Sequence, residues 1–128
     1  MLPSLLLADD DDDILAALSD MLSDRYRLTF ARDGGEAMAA LRLQLFDLAI
    51  VDLGLPAGED GYTFIRKLRT LGRDVGGETP ALALTALAGE GDHQQSLAAG
   101  FQMHLTKPVD IASLSEAVIR LAEGQPGG

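Results

Sequence analysis

The chain has 128 residues, enough for one domain with a proper core, and a formal net charge of −10. That charge sets it against nucleic acid and anionic membrane surfaces, which select Lys and Arg patches, and fits a domain that holds a cation or meets a basic partner. It has no cysteine, which excludes a disulfide framework, a thiolate nucleophile and a Cys-based zinc site, and its 5% aromatic content leaves a core of Leu, Ala, Val and Ile. Met1-Leu2-Pro3-Ser4 lacks a basic n-region and a long apolar stretch, so a secretory signal is not expected and the cytoplasm is the default. The longest apolar runs are too short to span a bilayer.

Leu5-Leu6-Leu7-Ala8 reads as a first buried strand, and it runs into the five acids Asp9 to Asp13. Ile14, Leu15, Leu18, Met21 and Leu22 follow at helical spacing. Asp11 to Asp13 are then placed as N-cap and first-turn residues, where free N–H groups and the helix dipole favour negative charge. Asp9 and Asp10 are left at the strand's carboxyl end with no structural task. Residues 26–31, from Tyr26 to Ala31, alternate as a half-exposed edge strand would. Asp33 with Glu36 resembles a capping box, opening a second helix through Ala37, Ala40, Leu41 and Leu45.

Leu48-Ala49-Ile50-Val51-Asp52 is the most informative stretch. Its apolar run has the pattern of a central parallel strand, and it delivers one carboxylate to the carboxyl end, where open α/β sheets place ligands. A third helix carries Phe64, Ile65, Leu68 and Leu71 inward, with Arg66, Lys67 and Arg69 on its wet side. Gly72 to Thr79 is a loop, and Ala81-Leu82-Ala83-Leu84-Thr85 is a fourth strand that stays apolar up to its terminal hydroxyl. Residues from Ala86 to Gly91 read as loop before a weak helix that reaches Ala99 and stops at Gly100. Met103 to Lys107 is a fifth strand broken by Pro108, and Asp110 caps a last helix with Ile111, Leu114, Val118 and Leu121 on one face. The domain runs over residues 1–123, with a flexible tail at residues 124–128.

Alternating strands and helices predict an α/β fold, a parallel sheet covered on both faces. The polar residues without structural work then gather at four carboxyl ends: Asp9 and Asp10, Asp52, Thr85 and Lys107. Three carboxylates at about 4 Å repel by roughly 4 kcal/mol per pair at an effective dielectric near 20. Either one of them is protonated, or a divalent cation neutralises them. Hard oxygen ligands without His or Cys suit Mg²⁺. A cation, the Lys107 ammonium and the Thr85 hydroxyl converging on Asp52 suit the uptake of a phosphoryl group on that carboxylate.

With these residues in place the chain resembles the receiver domain of two-component response regulators over essentially its whole length. The matching elements are the acidic pair after Leu7-Ala8, Val51-Asp52-Leu53-Gly54-Leu55-Pro56, Asp60-Gly61, Thr85-Ala86 and Lys107-Pro108. Asp60-Gly61-Tyr62, Leu84 to Ala88 and Gly100-Phe101 with His104 to Asp110 are closest in look to receivers of hybrid histidine kinases. The resemblance implies the flavodoxin-like (βα)5 doubly wound sheet with strand order 2-1-3-4-5. It makes Asp52 the acceptor of phosphate from a histidine kinase or histidine phosphotransfer domain. It makes Asp9, Asp10, Asp52 and the Gly54 carbonyl the Mg²⁺ site, with Asp9 acting through a metal-bound water. Thr85 and Lys107 would contact the phosphoryl group, and the Lys107-Pro108 bond would be cis. The protein would then be a cytoplasmic phosphoprotein rather than an enzyme, promoting its own phosphotransfer and dephosphorylation, with dimerisation or membership of a larger hybrid kinase left open.

Two departures from the family pattern matter. The loop from Pro56 to Gly61 is one residue longer, and the switch position on the fifth strand, commonly Tyr or Phe, is His104. With Thr85, His104 would form the switch that carries phosphorylation to the surface. Gly54 and Leu87, two residues past the acceptor and past Thr85, cannot orient a water, which implies slow self-dephosphorylation. The alternative is a pseudo-receiver, the same fold used as a phosphorylation-independent interaction module. An aspartyl-phosphate phosphatase would want an acid where Gly54 stands, and a nucleotide- or flavin-binding domain would want a Gly-rich loop where the aspartates stand.

Overall fold

A computed structural model of the chain describes residues 2–55, 60–86 and 89–124, with the Glu90 side chain left out. The elements are β1 (Ser4–Ala8), α1 (Asp12–Leu22), β2 (Arg27–Ala31), α2 (Gly34–Leu43), β3 (Leu48–Asp52) and α3 (Gly61–Arg69). After a 3-10 turn at Arg73–Val75 come β4 (Ala81–Thr85), α4 (Glu90–Ala99), β5 (Met103–Thr106) and α5 (Ile111–Ala122). All neighbouring strands are parallel, in the order β2-β1-β3-β4-β5, which is the flavodoxin-like arrangement expected. No helix among the described residues is long and apolar enough to cross a membrane.

The two-residue period of a strand sorts the core into two layers. Leu6, Ala8, Ala49, Val51, Ala81 and Ala83 face one side, where Ala37 and Leu41 of α2 and Phe64, Ile65 and Leu68 of α3 cover them. Leu5, Leu7, Leu48, Ile50, Leu82 and Leu84 face the other, under Leu15, Leu18 and Leu22 of α1 and Leu114, Ala117 and Val118 of α5. Burial on both faces is why β1, β3 and β4 read as unbroken apolar runs.

The caps follow the acids. Asp11 Oδ1 accepts from the N–H groups of Asp13 and Ile14, Asp33 Oδ1 from Glu36, and Asp110 from Ala112 and Ser113. The Glu36 side chain reaches back to the Arg32 N–H, completing a box one residue wider than the usual form.

Several expectations are corrected. Arg69 does not lie on the wet side of α3: it is half-buried, donating to the carbonyls of Gly77, Thr79 and Gly100 and to Gln102 Oε1. Burial pulls its guanidinium below the ordinary value, and Glu78 partly offsets this. Basic residues at helical spacing look solvated until another element offers carbonyls in fixed positions. Leu45 lies beyond the end of α2 and Leu71 beyond α3, both exposed, and Ile111 faces solvent at the start of α5. Phe30 of edge strand β2 is exposed too, so the alternation expected there breaks, because an edge strand has cover on one flank only. The loop from Gly72 to Thr79 contains the 3-10 turn, and α4 begins at Glu90, ahead of Gly91. The tail residues 125–128 and Met1 are outside the described residues.

Gly61 is held to its identity by a close approach. A Cβ there would lie 2.8 Å from the Asp52 carbonyl oxygen and 2.8 Å from Leu53 Cα, and the Gly61 N–H donates to the Leu53 carbonyl at 3.0 Å. The start of α3, capped by Asp60 on the Thr63 N–H, therefore sits directly on the end of β3. Gly61→Ala should destabilise the fold by about 1–3 kcal/mol, since backbone rather than a flexible side chain must yield. Urea unfolding measures this, and an unchanged midpoint would contradict the contact.

Candidate functional site

Parallel register brings the candidate residues to one edge. Ala8 pairs with Val51, Asp52 with Leu84 and Thr85 with Thr106, so Asp9, Asp52, Thr85 and Lys107 all emerge at the carboxyl end of the sheet. Carboxylate oxygens of Asp9, Asp10 and Asp52 all lie within 4.8 Å of one another. Asp9 and Asp52 are buried while Asp10 is exposed, so the cluster opens to solvent on the Asp10 side.

Lys107 closes the cluster from β5. Its Nζ is 3.1 Å from Asp9 Oδ2 and 3.3 Å from Asp52 Oδ2. Desolvation lowers the affinity of this ammonium for its proton, but the hydrogen bond to Asp9 and the charges of Asp52 and Asp9 outweigh it and hold Lys107 above its ordinary value. Burial pushes the Asp9 carboxyl up, and the Asp52 charge adds to this, against the opposing pull of the Asp11 N–H and Lys107. Asp9 thus has the structural task that sequence alone did not assign: its Oδ1 accepts from the Asp11 N–H at 3.0 Å, an Asx turn leading into α1. On the other strand Asp52 Oδ1 accepts from the Gly54 N–H at 3.0 Å, which fixes the carboxylate's rotation. The Lys107-Pro108 peptide is cis, as expected.

Beside Asp52 an open cleft of about 410 Å³ is lined by Leu53, Gly54, Tyr62, Thr85, Ala86 and Lys107 as well. Thr85 is buried at the end of β4. Tyr62 of Asp60-Gly61-Tyr62, half-buried on α3, lines the cleft, a place the motif alone does not assign; burial first, then the charges of Asp92 and Asp60, push its phenol up against the pull of Arg66. Three hard carboxylates with no His or Cys among them are a donor set that fits Mg²⁺, and the Gly54 carbonyl belongs to the turn that follows Asp52. Leu87, and the residues Pro56 to Glu59 that lengthen the loop before Gly61, lie outside the described residues.

His104 is placed away from the acids, on the α4 side of β5. Its Nδ1 is 3.0 Å from Ser96 Oγ, and its ring centroid is 5.1 Å from that of His93. Ser96 is fully buried and its Oγ also donates to the His93 carbonyl. Sequence offered no signal for this trio, since it forms only when α4 packs on β5.

Comparison with known proteins agrees with this geometry. The model of the response regulator receiver domain matches residues 5–119. An uncharacterised 14.6 kDa protein of Leptolyngbya boryana is 40% identical over 116 residues, covering 89% of this chain and 86% of that one. Response regulator PleD of Caulobacter vibrioides is 35% identical over 107 residues, 83% of this chain but 23% of PleD. Among solved structures, the receiver domain of a sensor histidine kinase from Pseudomonas aeruginosa superposes with a TM-score of 0.84 at 31% identity, covering 96% of this chain and 99% of that one. That structure has a magnesium ion coordinated in its active-site cleft. With the strand order, the acidic edge and these matches in agreement, the chain belongs to the response regulator receiver domain family of two-component systems.

Proposed function

We propose that this receiver domain accepts a phosphoryl group on Asp52 from a phosphohistidine of a histidine kinase or phosphotransfer domain. The observation that carries the reading is the placement of Lys107 Nζ between Asp9 and Asp52 at the mouth of the cleft. A solvated surface lysine would not be drawn into a buried acidic cluster; here it stands where the oxygens of an incoming phosphoryl group need a positive charge.

The Asp52 carboxylate attacks phosphorus as the phosphorus–nitrogen bond of the donor breaks, and the electron pair returns to the imidazole nitrogen. The Gly54 N–H orients the carboxylate through Oδ1, Lys107 offers its ammonium to the transferred oxygens, and the Thr85 hydroxyl lies on the same cleft wall. Asp10 and Asp52, with the Gly54 carbonyl, would hold Mg²⁺, and Asp9 would reach it through water. When bound, Mg²⁺ offsets the carboxylate repulsion and the charge developing on phosphoryl oxygens. Incubation with Mg²⁺ and acetyl phosphate followed by intact mass tests this reading. One added phosphoryl group, lost when a chelator is present, is the expected result. No uptake in Mg²⁺, from acetyl phosphate or from a phosphohistidine donor, would remove this reading and favour the pseudo-receiver alternative.

Phosphorylation is read out through His104. Adding about two negative charges to Asp52 draws the Thr85 hydroxyl toward them and opens space between β4 and β5. For His104 to enter that space it must leave Ser96 and His93, so the resting state is held by a hydrogen bond worth about 1 kcal/mol. NMR shift changes on adding beryllofluoride should spread across α4 and β5 in the unsubstituted chain and shrink in His104→Ala. Equal spread in both would remove His104 from the switch.

A further inference from the structure

At the opposite pole, where the strands begin, the C-terminal end of α2 and the segment after α3 enclose an apolar groove of about 420 Å³. Met38 and Leu41 form its floor, while Leu43, Leu45, Leu71 and Val75 rise around it exposed, Leu43 to 87%. Large apolar side chains exposed elsewhere among the described residues, such as Leu2, Phe30, Leu97 and Ile111, do not line it. Convergence of this kind marks an interaction surface, because a contiguous apolar patch in water carries a free-energy cost that contact removes.

We propose that this groove docks a second copy of the chain, with Leu43 and Leu45 of each copy entering the groove of the other. Two features select a copy over an unrelated partner. The surface carries a ridge, Leu43 at the end of α2 and Leu45 just past it, next to a socket between Leu41, Leu71 and Val75. A groove-binding peptide would fill the socket and leave the ridge wet, whereas a two-fold related copy covers both. The walls also carry opposite charges, Arg42 on the α2 side and Asp74 on the facing segment. Neither forms an ion pair with another described residue. An isologous contact sets Arg42 of one copy against Asp74 of the other twice, once on each side of the axis. The long-range repulsion between two chains of net charge −10 is screened over about 10 Å at 0.1 M salt, which leaves the local match to decide. The face is remote from the acidic edge, so association does not block access to Asp52.

Sedimentation velocity on the full chain across a concentration series, at about 0.15 M salt, tests the proposal. A concentration-dependent dimer is expected, with Leu43→Asp raising its dissociation constant roughly tenfold or more. Leu43 is so exposed that this change leaves the fold intact, which circular dichroism verifies. Arg42→Asp and Asp74→Arg should each weaken the dimer, and the two together should restore it. A monomer at every concentration would overturn the proposal and assign the groove to another occupant. A dimer indifferent to Leu43→Asp, or a double exchange that fails to restore association, would overturn it equally.

Discussion

Asp52→Asn should abolish phosphoryl uptake and, in the absence of divalent cations, raise the melting temperature of the chain. Asparagine keeps an oxygen for the Gly54 N–H but loses the nucleophilic charge. It also removes a carboxylate that lies within 4.8 Å of two others. At an effective dielectric near 20 each such repulsion is worth roughly 3–4 kcal/mol. Loss of the Asp52–Lys107 attraction at 3.3 Å, about 5 kcal/mol on the same scale, offsets most of this. The balance is a stabilisation on the order of 1–2 kcal/mol, the usual sign for removing a functional charge held against its neighbours. Mg²⁺ should reverse the order. A cation at 100 times its dissociation constant stabilises the fold that binds it by about 2.7 kcal/mol, and the variant, one ligand short, gains less. Thermal melts in chelator and in Mg²⁺, with intact mass after acetyl phosphate, decide the matter. A variant that melts lower than the unsubstituted chain in chelator would show that Asp52 is not under repulsion.

Lys107→Met should act in the opposite direction on stability and in the same direction on phosphotransfer. Asp9 is almost wholly buried, and Lys107 is the ammonium that faces it. Breaking a buried pair from one side costs about 3–5 kcal/mol at neutral pH, because the remaining charge is left uncompensated. The pH dependence carries the diagnosis. A carboxyl held above its ordinary value binds its proton more tightly folded than unfolded, so stability is greatest when it is protonated. That stability declines as pH rises from the ordinary carboxyl range through the raised value. Loss of Lys107 raises Asp9 further, so the decline in the variant should be steeper and extend nearer to neutrality. In the unsubstituted chain the ammonium adds an alkaline limb: its contribution is complete below the ordinary lysine value and disappears as pH rises through the raised one. The variant should lack that limb. Adding Asp9→Asn to Lys107→Met should recover most of the loss. Denaturant titrations across pH in chelator measure all of this, and parallel pH curves for the two proteins would refute the pairing.

Much of the fold was legible because burial on both faces leaves a plain mark. Leu5 to Ala8, Leu48 to Val51 and Ala81 to Leu84 are apolar runs that end at a polar residue, and the sheet is built from them. The gathering of the candidate site's residues at one edge was legible for the same reason, since a polar residue ending an apolar strand has few structural excuses. What sequence did not carry were contacts made between elements distant along the chain. Arg69 sits at helical spacing beside Arg66 and Lys67, and only the carbonyls of Gly77, Thr79 and Gly100 distinguish it from them. Ile111 and Leu45 match an apolar period, yet no neighbouring element reaches over them. Asp9 looked idle because the two partners that employ it, the Asp11 N–H and Lys107, are a turn and a distant strand.

Arg69 also decides how movement can spread. Its two bonds to the Gly100 carbonyl, with those to Gly77, Thr79 and Gln102, tie the last turn of α3, the approach to β4, the exit from α4 and the entry to β5 into one joint. The ten residues of α4 rise from that joint like a lever about 15 Å long. Each degree of tilt about Gly100 then carries the far end, at Glu90, by about a quarter of an ångström while the near end stays in place. On the proposed phosphorylation, a change in charge at Asp52 would be delivered at the far end of that lever, so the face between α4 and β5 would turn as a hinged flap rather than slide as a plate.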